Sequence, residues 1–404
     1  MATTSGRAAL PRVTLRKKLA RAIRRGHPWI YRDAVEAPAG VADGALVFVV
    51  DEDRRGLARG FWDARSPIAV RVLSTSASAD AALDVDALVA GRVGAALARR
   101  LGFVDRARTD AFRWIHGEAD GLPGVHVDLY GKAAVVRADG GGASAFYAAR
   151  ELPARLIEAA RAANVPLETV VVRGRDGEGA MAAVGALPTD EFEVHENGLR
   201  FGVDLVHGQK GGLFLDQRDN RARVRDLARG RRVLNLFGYT GGFSIYAAAG
   251  GAARTTTVDV AAPAIAAARR NFERNGFDSN DADLHAEDAF AFLERAVAAG
   301  TRWDVVISDP PSFAPSEKAR PAALNAYTRL HRLCAAVTAP NGIFCAASCS
   351  SHVRADAFVE TVERGVAAAN RRFFLEALHG AAACHPSLPS FHEGDYLKFA
   401  VVRL

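Results

Sequence analysis

The chain of 404 residues is too long for one ordinary domain, and 49% hydrophobic with 24% charged residues is the composition of packed domains rather than of a disordered or fibrous chain. No apolar run approaches the roughly 20 residues of a membrane-spanning helix, and no apolar stretch follows the basic N-terminus as a secretory leader would require, so the cytoplasm is the expected compartment. The cysteines at 334, 345, 349 and 384 form no CxxC pair and the histidines show no zinc spacing, which argues against a disulfide framework and against a metal site.

The net charge of +6 is unevenly placed. Residues 1–73 hold 14 Lys/Arg against 7 Asp/Glu, whereas the remainder holds 38 against 39. The first 32 residues carry nine basic side chains and no acidic one. Such a segment suits a polyanion, RNA above all. Only 6 of the 52 basic residues are lysine, so an arginine-rich solvated face is the plain alternative.

Residues 10–73 read as short strands with turns, among them Leu46–Asp51 and Ile68–Leu73. They suggest a small β-rich domain over 1–74, with a polar linker from Thr75 to Asp80. Ala87–Leu101 is helical by periodicity. Strands follow at Arg113–His116, Gly124–Leu129 and Ala133–Arg137, then a helical stretch Ser144–Ala163 interrupted near Pro153, then the strand Glu168–Arg173. This gives a middle α+β domain over 75–190. A hairpin at Phe192–Asp204 opens the last domain, 191–404. There strands (Val233–Phe237, Thr255–Asp259, Trp303–Ser308, Gly342–Ser348) alternate with helices (Gly242–Ala249, Ala262–Asn275, Ala322–Val337, Arg354–Asn370). Such alternation predicts an α/β, Rossmann-like, mostly parallel sheet covered on both faces.

In open parallel sheets the ligand sits beyond the carboxyl ends of the strands. After the first strand of the last domain comes Phe237-Gly238-Tyr239-Thr240-Gly241-Gly242, leading straight into a helix. Its glycines admit a ligand close to the backbone, and the helix start offers free N–H groups. The second strand ends in Asp259, an acid placed to hold both hydroxyls of an adenosine ribose or simply to cap a helix. To this point a nicotinamide dinucleotide and S-adenosylmethionine fit equally. Asp309-Pro310-Pro311 separates them, because base methyltransferases use such an extended turn to present a polar group to a flipped base. Asp288, where a third strand should end, is either an adenine contact or a solvated loop acid.

Cytosine C5 is a weak nucleophile, and its methylation calls for a thiolate that adds to C6. Cys349 follows a strand at the expected carboxyl edge beside Asp309, whereas Cys345 lies within the strand and Cys334 within a helix. Free cysteines are also commonly buried small hydrophobes, so position alone leaves Cys349 as nucleophile or as core. His352 is near enough to be considered as the base that removes the C5 proton, and equally reads as a solvated loop histidine.

Taken in order, these segments resemble the large-subunit ribosomal RNA methyltransferase I family, which forms 5-methylcytosine in 23S ribosomal RNA. Gly26-His27-Pro28-Trp29-Ile30 is similar to the signature of the family's N-terminal PUA domain, and the run Gly117–Gly124 (GEADGLPG) to its middle-domain signature. Gly208-Gln209-Lys210 with Phe214–Arg218 resembles the segment ahead of the catalytic core. Asn235–Phe243, Asp309-Pro310-Pro311 and Ser348-Cys349-Ser350 resemble the catalytic motifs, and His385-Pro386 with Glu393–Lys398 the C-terminal ending. The resemblance implies that Cys349 is the nucleophile, that Gln217 and Arg218 help to seat S-adenosylmethionine, and that the PUA-like domain holds RNA. Without it, Gln217 and Arg218 read as the beginning of a helix. Gly211 stands where the family usually has Thr, and Cys384 where it usually has an acid. Ser312 replaces the aromatic fourth residue of amino-group methyltransferases, which argues against an exocyclic amine as acceptor. Methylation of a guanine or an amine, and an RNA-binding assembly factor without catalysis, remain the competing functions. The sequence does not fix the oligomeric state and leaves a homodimer open.

Overall fold

A computed structural model describes residues 10–75, 83–174, 179–206, 212–278 and 282–404. The motif residues Gly208, Gln209, Lys210 and Gly211, and most of the expected linker after Thr75, lie outside the described residues. The chain divides into two compact units: Met1–Val104, Phe112–Leu187 and Pro386–Gly394 make the first, and Asp105–Ala111, Pro188–His385 and Asp395–Leu404 the second. No helix among the described residues is long and apolar enough to cross a membrane.

The first unit begins with β1 (Arg12–Leu15), α1 (Ala20–Arg24), β2 (Trp29–Tyr31), β3 (Val35–Glu36), β4 (Leu46–Val50), β5 (Gly56–Trp62) and β6 (Ile68–Thr75), in the sheet order β2-β6-β5-β4-β1-β3. Val13, Ile30, Val47, Val49 and Val70 form its core. A second sheet follows. It comprises α2 (Val85–Leu101), β7 (Ala111–His116), β8 (Val125–Tyr130), β9 (Ala133–Ala138), α3 (Gly141–Ala148), α4 (Leu152–Ala162), β10 (Thr169–Arg173) and β11 (Ala180–Val184), in the strand order β11-β10-β9-β8-β7. Asp84 starts α2 by accepting a hydrogen bond from the Ala87 N–H at 2.9 Å. The interruption expected at Pro153 falls earlier, where Glu151 turns left-handed with φ 49°. Pro153 itself sits in the first turn of α4, where a missing N–H costs no helical hydrogen bond.

The GEADGLPG segment acts as a clamp inside this unit. The Asp120 carboxylate accepts both arms of the Arg100 guanidinium at 2.6 and 2.7 Å, the Arg99 guanidinium at 2.5 Å and the His116 N–H at 2.7 Å. Glu118 accepts from Trp29 Nε1 at 2.7 Å, from Arg71 at 2.7 Å and from the Gly124 N–H at 3.0 Å. The signature tryptophan of the first sheet and the signature glutamate of the second thus meet in one hydrogen-bonded cluster, with buried Arg71 beneath the Trp29 ring. Gly124 has φ +73°, and a Cβ there would come within 2.8 Å of Arg71 Nε.

The second unit opens with the hairpin β12 (Phe192–Glu196) and β13 (Leu199–Val203), turning through left-handed Asn197 and Gly198 as expected. Then come α5 (Arg218–Leu227), β14 (Arg232–Leu236), α6 (Gly242–Ala249), β15 (Arg254–Asp259), α7 (Ala262–Arg274), β16 (Ala282–Ala286), α8 (Ala289–Ala298), β17 (Trp303–Ser308), α9 (Arg320–Val337), β18 (Thr338–Ser348), α10 (Ala355–Ala368), β19 (Phe374–His379) and β20 (Lys398–Arg403). The sheet order is β16-β15-β14-β17-β18-β20-β19, parallel from β16 to β18, with β20 antiparallel to both neighbours. Successive residues of the central strands feed opposite faces. Leu234, Val306 and Phe344 join one core with α8–α10, whereas Val233, Val305, Ile307 and Cys345 join another with α5 and α6. That double burial is why these strands read as continuous apolar runs.

Candidate active site

The strand order of the second unit reverses beside β14, which pairs with β15 on one side and β17 on the other. A crevice for a ligand opens at such a reversal, beyond the carboxyl ends. Residues 237–241 form the loop there. Phe237 and Tyr239 adopt left-handed backbone, with φ 57° and 46°, ahead of Gly241 with φ 82°. Two non-glycine residues in that region cost about 1 kcal/mol or more each. Asp259 helps to hold them: its Oδ2 accepts the Tyr239 N–H at 2.8 Å while its Oδ1 accepts the Ala261 N–H at 2.9 Å, just ahead of α7. A carboxylate offers about four lone-pair sites, so two hydrogen bonds leave capacity for a diol. Gly238 admits no side chain, because a Cβ would lie 2.5 Å from the Thr257 methyl group. The Thr240 hydroxyl donates to the Gly212 carbonyl at 3.0 Å and anchors the loop from the other side.

Two further residues border this region. Val260, directly after Asp259, is 74% exposed, an apolar side chain left in solvent at the strand end. Asp288 caps α8 by accepting the Ala291 N–H at 2.9 Å. It therefore has a helix to serve whatever else it contacts.

The Asp309-Pro310-Pro311-Ser312 turn follows β17. Asp309 Oδ2 accepts from Gln217 Nε2 at 3.0 Å, and Gln217 Oε1 accepts from Asn220 Nδ2 at 2.7 Å. Gln217 thus directs the Asp309 carboxylate. Arg218 begins α5, as the plain reading of that pair expected, and is 5% exposed. Burial works against its charge, but Cys384, Asp219 and Glu196 outweigh burial and raise its pKa above the ordinary arginine value. Its Nε donates to Asp219 at 3.2 Å. The buried Cys384 thiol lies 3.3 Å from His385 Nδ1.

Cys349 is the residue after the last of β18, and β18 is the direct neighbour of β17. It is partly exposed, whereas Cys334, Cys345 and Cys384 are buried. Burial pushes the Cys345 thiol up to about 12 and the Cys334 thiol higher still, so neither supplies a thiolate near neutrality. A chain of hydroxyls ties the cysteine turn to the Asp309 turn. The Tyr327 hydroxyl, from α9, bonds Ser348 Oγ at 2.9 Å and Ser350 Oγ at 3.0 Å, and Ser350 Oγ bonds Ser312 Oγ at 3.0 Å. Beneath them lies Lys398, whose Nζ donates to the Ser350 carbonyl at 2.7 Å and the Tyr396 carbonyl at 2.8 Å. His352 is half-exposed, with Nδ1 3.4 Å from Glu317 Oε2. Sequence reasoning missed Tyr327 and Lys398. Lys398 left a signal: it closes the Glu393–Lys398 segment that resembles the family's ending, and it is one of six lysines in the chain, opening a strand whose next four residues are apolar.

The residues at the strand ends suit an adenosine cofactor: a carboxylate with spare acceptors for a ribose, an exposed apolar side chain for a flat base and a helix N-terminus for an anionic group. Comparison with known proteins agrees. Residues 147–390 match the S-adenosylmethionine-dependent methyltransferase family, and residues 13–75 match a PUA-like domain. A SAM-dependent methyltransferase from Streptococcus mutans shares the fold with a TM-score of 0.83 at 22% identity, over 98% of this chain and 100% of that one. A second solved methyltransferase, complexed with S-adenosylhomocysteine, gives 0.83 at 23% identity over 98% and 99%. Fold and family together define an S-adenosylmethionine-dependent methyltransferase with an N-terminal PUA-like domain. A ribosomal RNA large subunit methyltransferase from Deinococcus radiodurans is 39% identical over 98% of this chain and 98% of its own. The ribosomal RNA large subunit methyltransferase I of Shewanella denitrificans is 34% identical over 97% and 99%. The chain belongs to the ribosomal RNA large subunit methyltransferase I family.

Proposed function

We propose that the protein methylates C5 of a cytosine in 23S ribosomal RNA, with Cys349 as the nucleophile. The observation that carries this reading is Cys349, a partly exposed residue at the end of β18, on a turn hydrogen-bonded to the Asp309-Pro310-Pro311-Ser312 turn. Bound S-adenosylmethionine supplies the electrophilic methyl group. Asp259 holds the ribose hydroxyls, Val260 and Asp288 border the adenine, and the 237–241 loop with Gly238 and Gly241 lets the backbone approach. Gln217 fixes the Asp309 carboxylate toward the N3/amino edge of the base, and Arg218 lies behind it. Addition of the Cys349 thiolate to C6 shifts the C5–C6 electron pair to C5, which takes up the methyl group; loss of the C5 proton then expels the thiolate. The PUA-like domain and the basic surplus of residues 1–73 support RNA as the substrate.

Methylation of 23S ribosomal RNA in vitro, followed by nuclease digestion and mass spectrometry, tests the reading. One 5-methylcytidine is expected; a methylguanosine or an N-methylated nucleoside rules it out, and no methylation of any RNA would leave an assembly factor. Within the same reading Asp259→Ala should weaken S-adenosylmethionine binding about 10- to 100-fold by calorimetry, the loss expected for hydrogen bonds to a charged acceptor. An unchanged Kd would reduce Asp259 to a support for the loop.

A further inference from the structure

β20 runs antiparallel to β18 with Lys398 directly opposite Ser348, one residue before Cys349. The lysine is 3% exposed, a depth at which this residue type is rarely found unless paired. Two of its three N–H groups go to the carbonyls of Ser350 and Tyr396. Carbonyl oxygens solvate an ammonium without neutralising it. Against burial, the acidic groups that raise the Lys398 pKa are Cys349, foremost, and Asp395, which is exposed to solvent. From α9, the Tyr327 hydroxyl bonds Ser348 Oγ and Ser350 Oγ, the residues on either side of Cys349.

We propose that Lys398 forms an ion pair with Cys349 and so maintains the thiolate that attacks the base; the proposal rests on the nucleophile reading above. Lys398 is a positioning residue in this role: its Nζ holds the carbonyl of Ser350 on the turn that carries the thiol, and it does not touch the cytosine. The pair forms by one proton transfer, in which the S–H bond of Cys349 breaks and an N–H bond forms on the ε-amine, leaving S⁻ beside NH3⁺. Expulsion of the thiolate from C6 at the end of the reaction restores the same pair. Such a transfer needs an amine that exchanges protons near neutrality. Burial lowers the Lys398 pKa to about 8, against the opposing pull of Cys349 and Asp395, and that places it in range. A buried thiol without a cation goes the other way, as Cys345 does.

The alternative is that Lys398 only ties two carbonyls together, and the pH dependence of Cys349 alkylation separates the two. Iodoacetamide labelling of the Cys349 peptide, followed by mass spectrometry from about pH 5 to about pH 10, reads the thiolate fraction directly. In Lys398→Met the midpoint should rise by about one unit or more, with labelling below it slowed about tenfold. Methyl transfer should fall in parallel and recover as the pH is raised, and Lys398→Arg should keep the wild-type midpoint. A folded Lys398→Met with an unshifted midpoint overturns the proposal. Should that variant not fold, the coupling can be read from the other side. The ε-methylene resonances of the six lysines are titrated by NMR in wild type and in Cys349→Ser. Loss of the thiol should lower the Lys398 midpoint, and an unchanged midpoint again overturns the pair. Neither titration depends on turnover. A shifted midpoint with an active Cys349→Ala would therefore keep the ion pair and discard the nucleophile.

Discussion

Cys349→Ala is expected to lose methyl transfer by at least about 1,000-fold while S-adenosylmethionine binds as before, because removal of a covalent nucleophile takes the whole addition pathway with it. The structure gives no second thiol to rescue it: Cys334, Cys345 and Cys384 are buried, and burial keeps the first two protonated. The 237–241 loop after β14 and Asp259 at the end of β15 lie on the other side of β17 from Cys349 in the sheet. A substitution at the end of β18 leaves them their own hydrogen bonds. RNA carrying 5-fluorocytidine makes the same point in another way. Fluorine cannot leave C5 as a proton does, so the wild-type enzyme should accumulate an adduct stable to denaturing electrophoresis and Cys349→Ala should form none. Full activity in Cys349→Ala would sink the thiol mechanism and return the base specificity to an open question.

The second large effect concerns stability. Asp120→Ala should destabilise the first unit by about 3–5 kcal/mol, the usual consequence of leaving a buried guanidinium without its carboxylate. Arg100 and the Asp120 carboxyl are both fully buried and paired through two arms at 2.6 and 2.7 Å. Three other donors or neighbours, Arg99, the His116 N–H and α2 itself, lose their fixed point at the same time. Chemical denaturation followed by circular dichroism measures the effect. A loss below about 1 kcal/mol would mean that the pair is no better than a surface ion pair.

This second prediction shows what a motif does not reveal by itself. GEADGLPG was legible as a turn and as a family signature, yet which of its acids is structural follows only from partners distant in sequence, Arg100 for Asp120 and Trp29 with Arg71 for Glu118. The alternating core of the second unit was readable because its strands are apolar on both faces and its helices carry apolar stripes. α5 was legible only as a helix start at Gln217 and Arg218, since RDNRARVRDL buries Arg218, Asn220 and Arg221 in place of an apolar stripe. Its buried charge is answered by Glu196, a partner 25 residues away on the hairpin, at 2.7 Å through both carboxylate oxygens. β19 escaped for the opposite reason: it is an edge strand with Phe374, Leu375 and Leu378 exposed, so its apolar residues follow neither period. At the site, strand ends and proline turns placed Asp259, Asp309 and Cys349 from sequence alone. Tyr327 and Lys398 reach the same turn from a helix and from an antiparallel strand, contacts that no local spacing encodes.

The chain enters and leaves the first unit more than once, giving up Asp105–Ala111 to the second and returning for Pro386–Gly394 before the final strand. No single cut therefore separates the two. A segment excised at any one point would carry off part of its neighbour, so a truncation at a single position is expected to isolate neither unit whole.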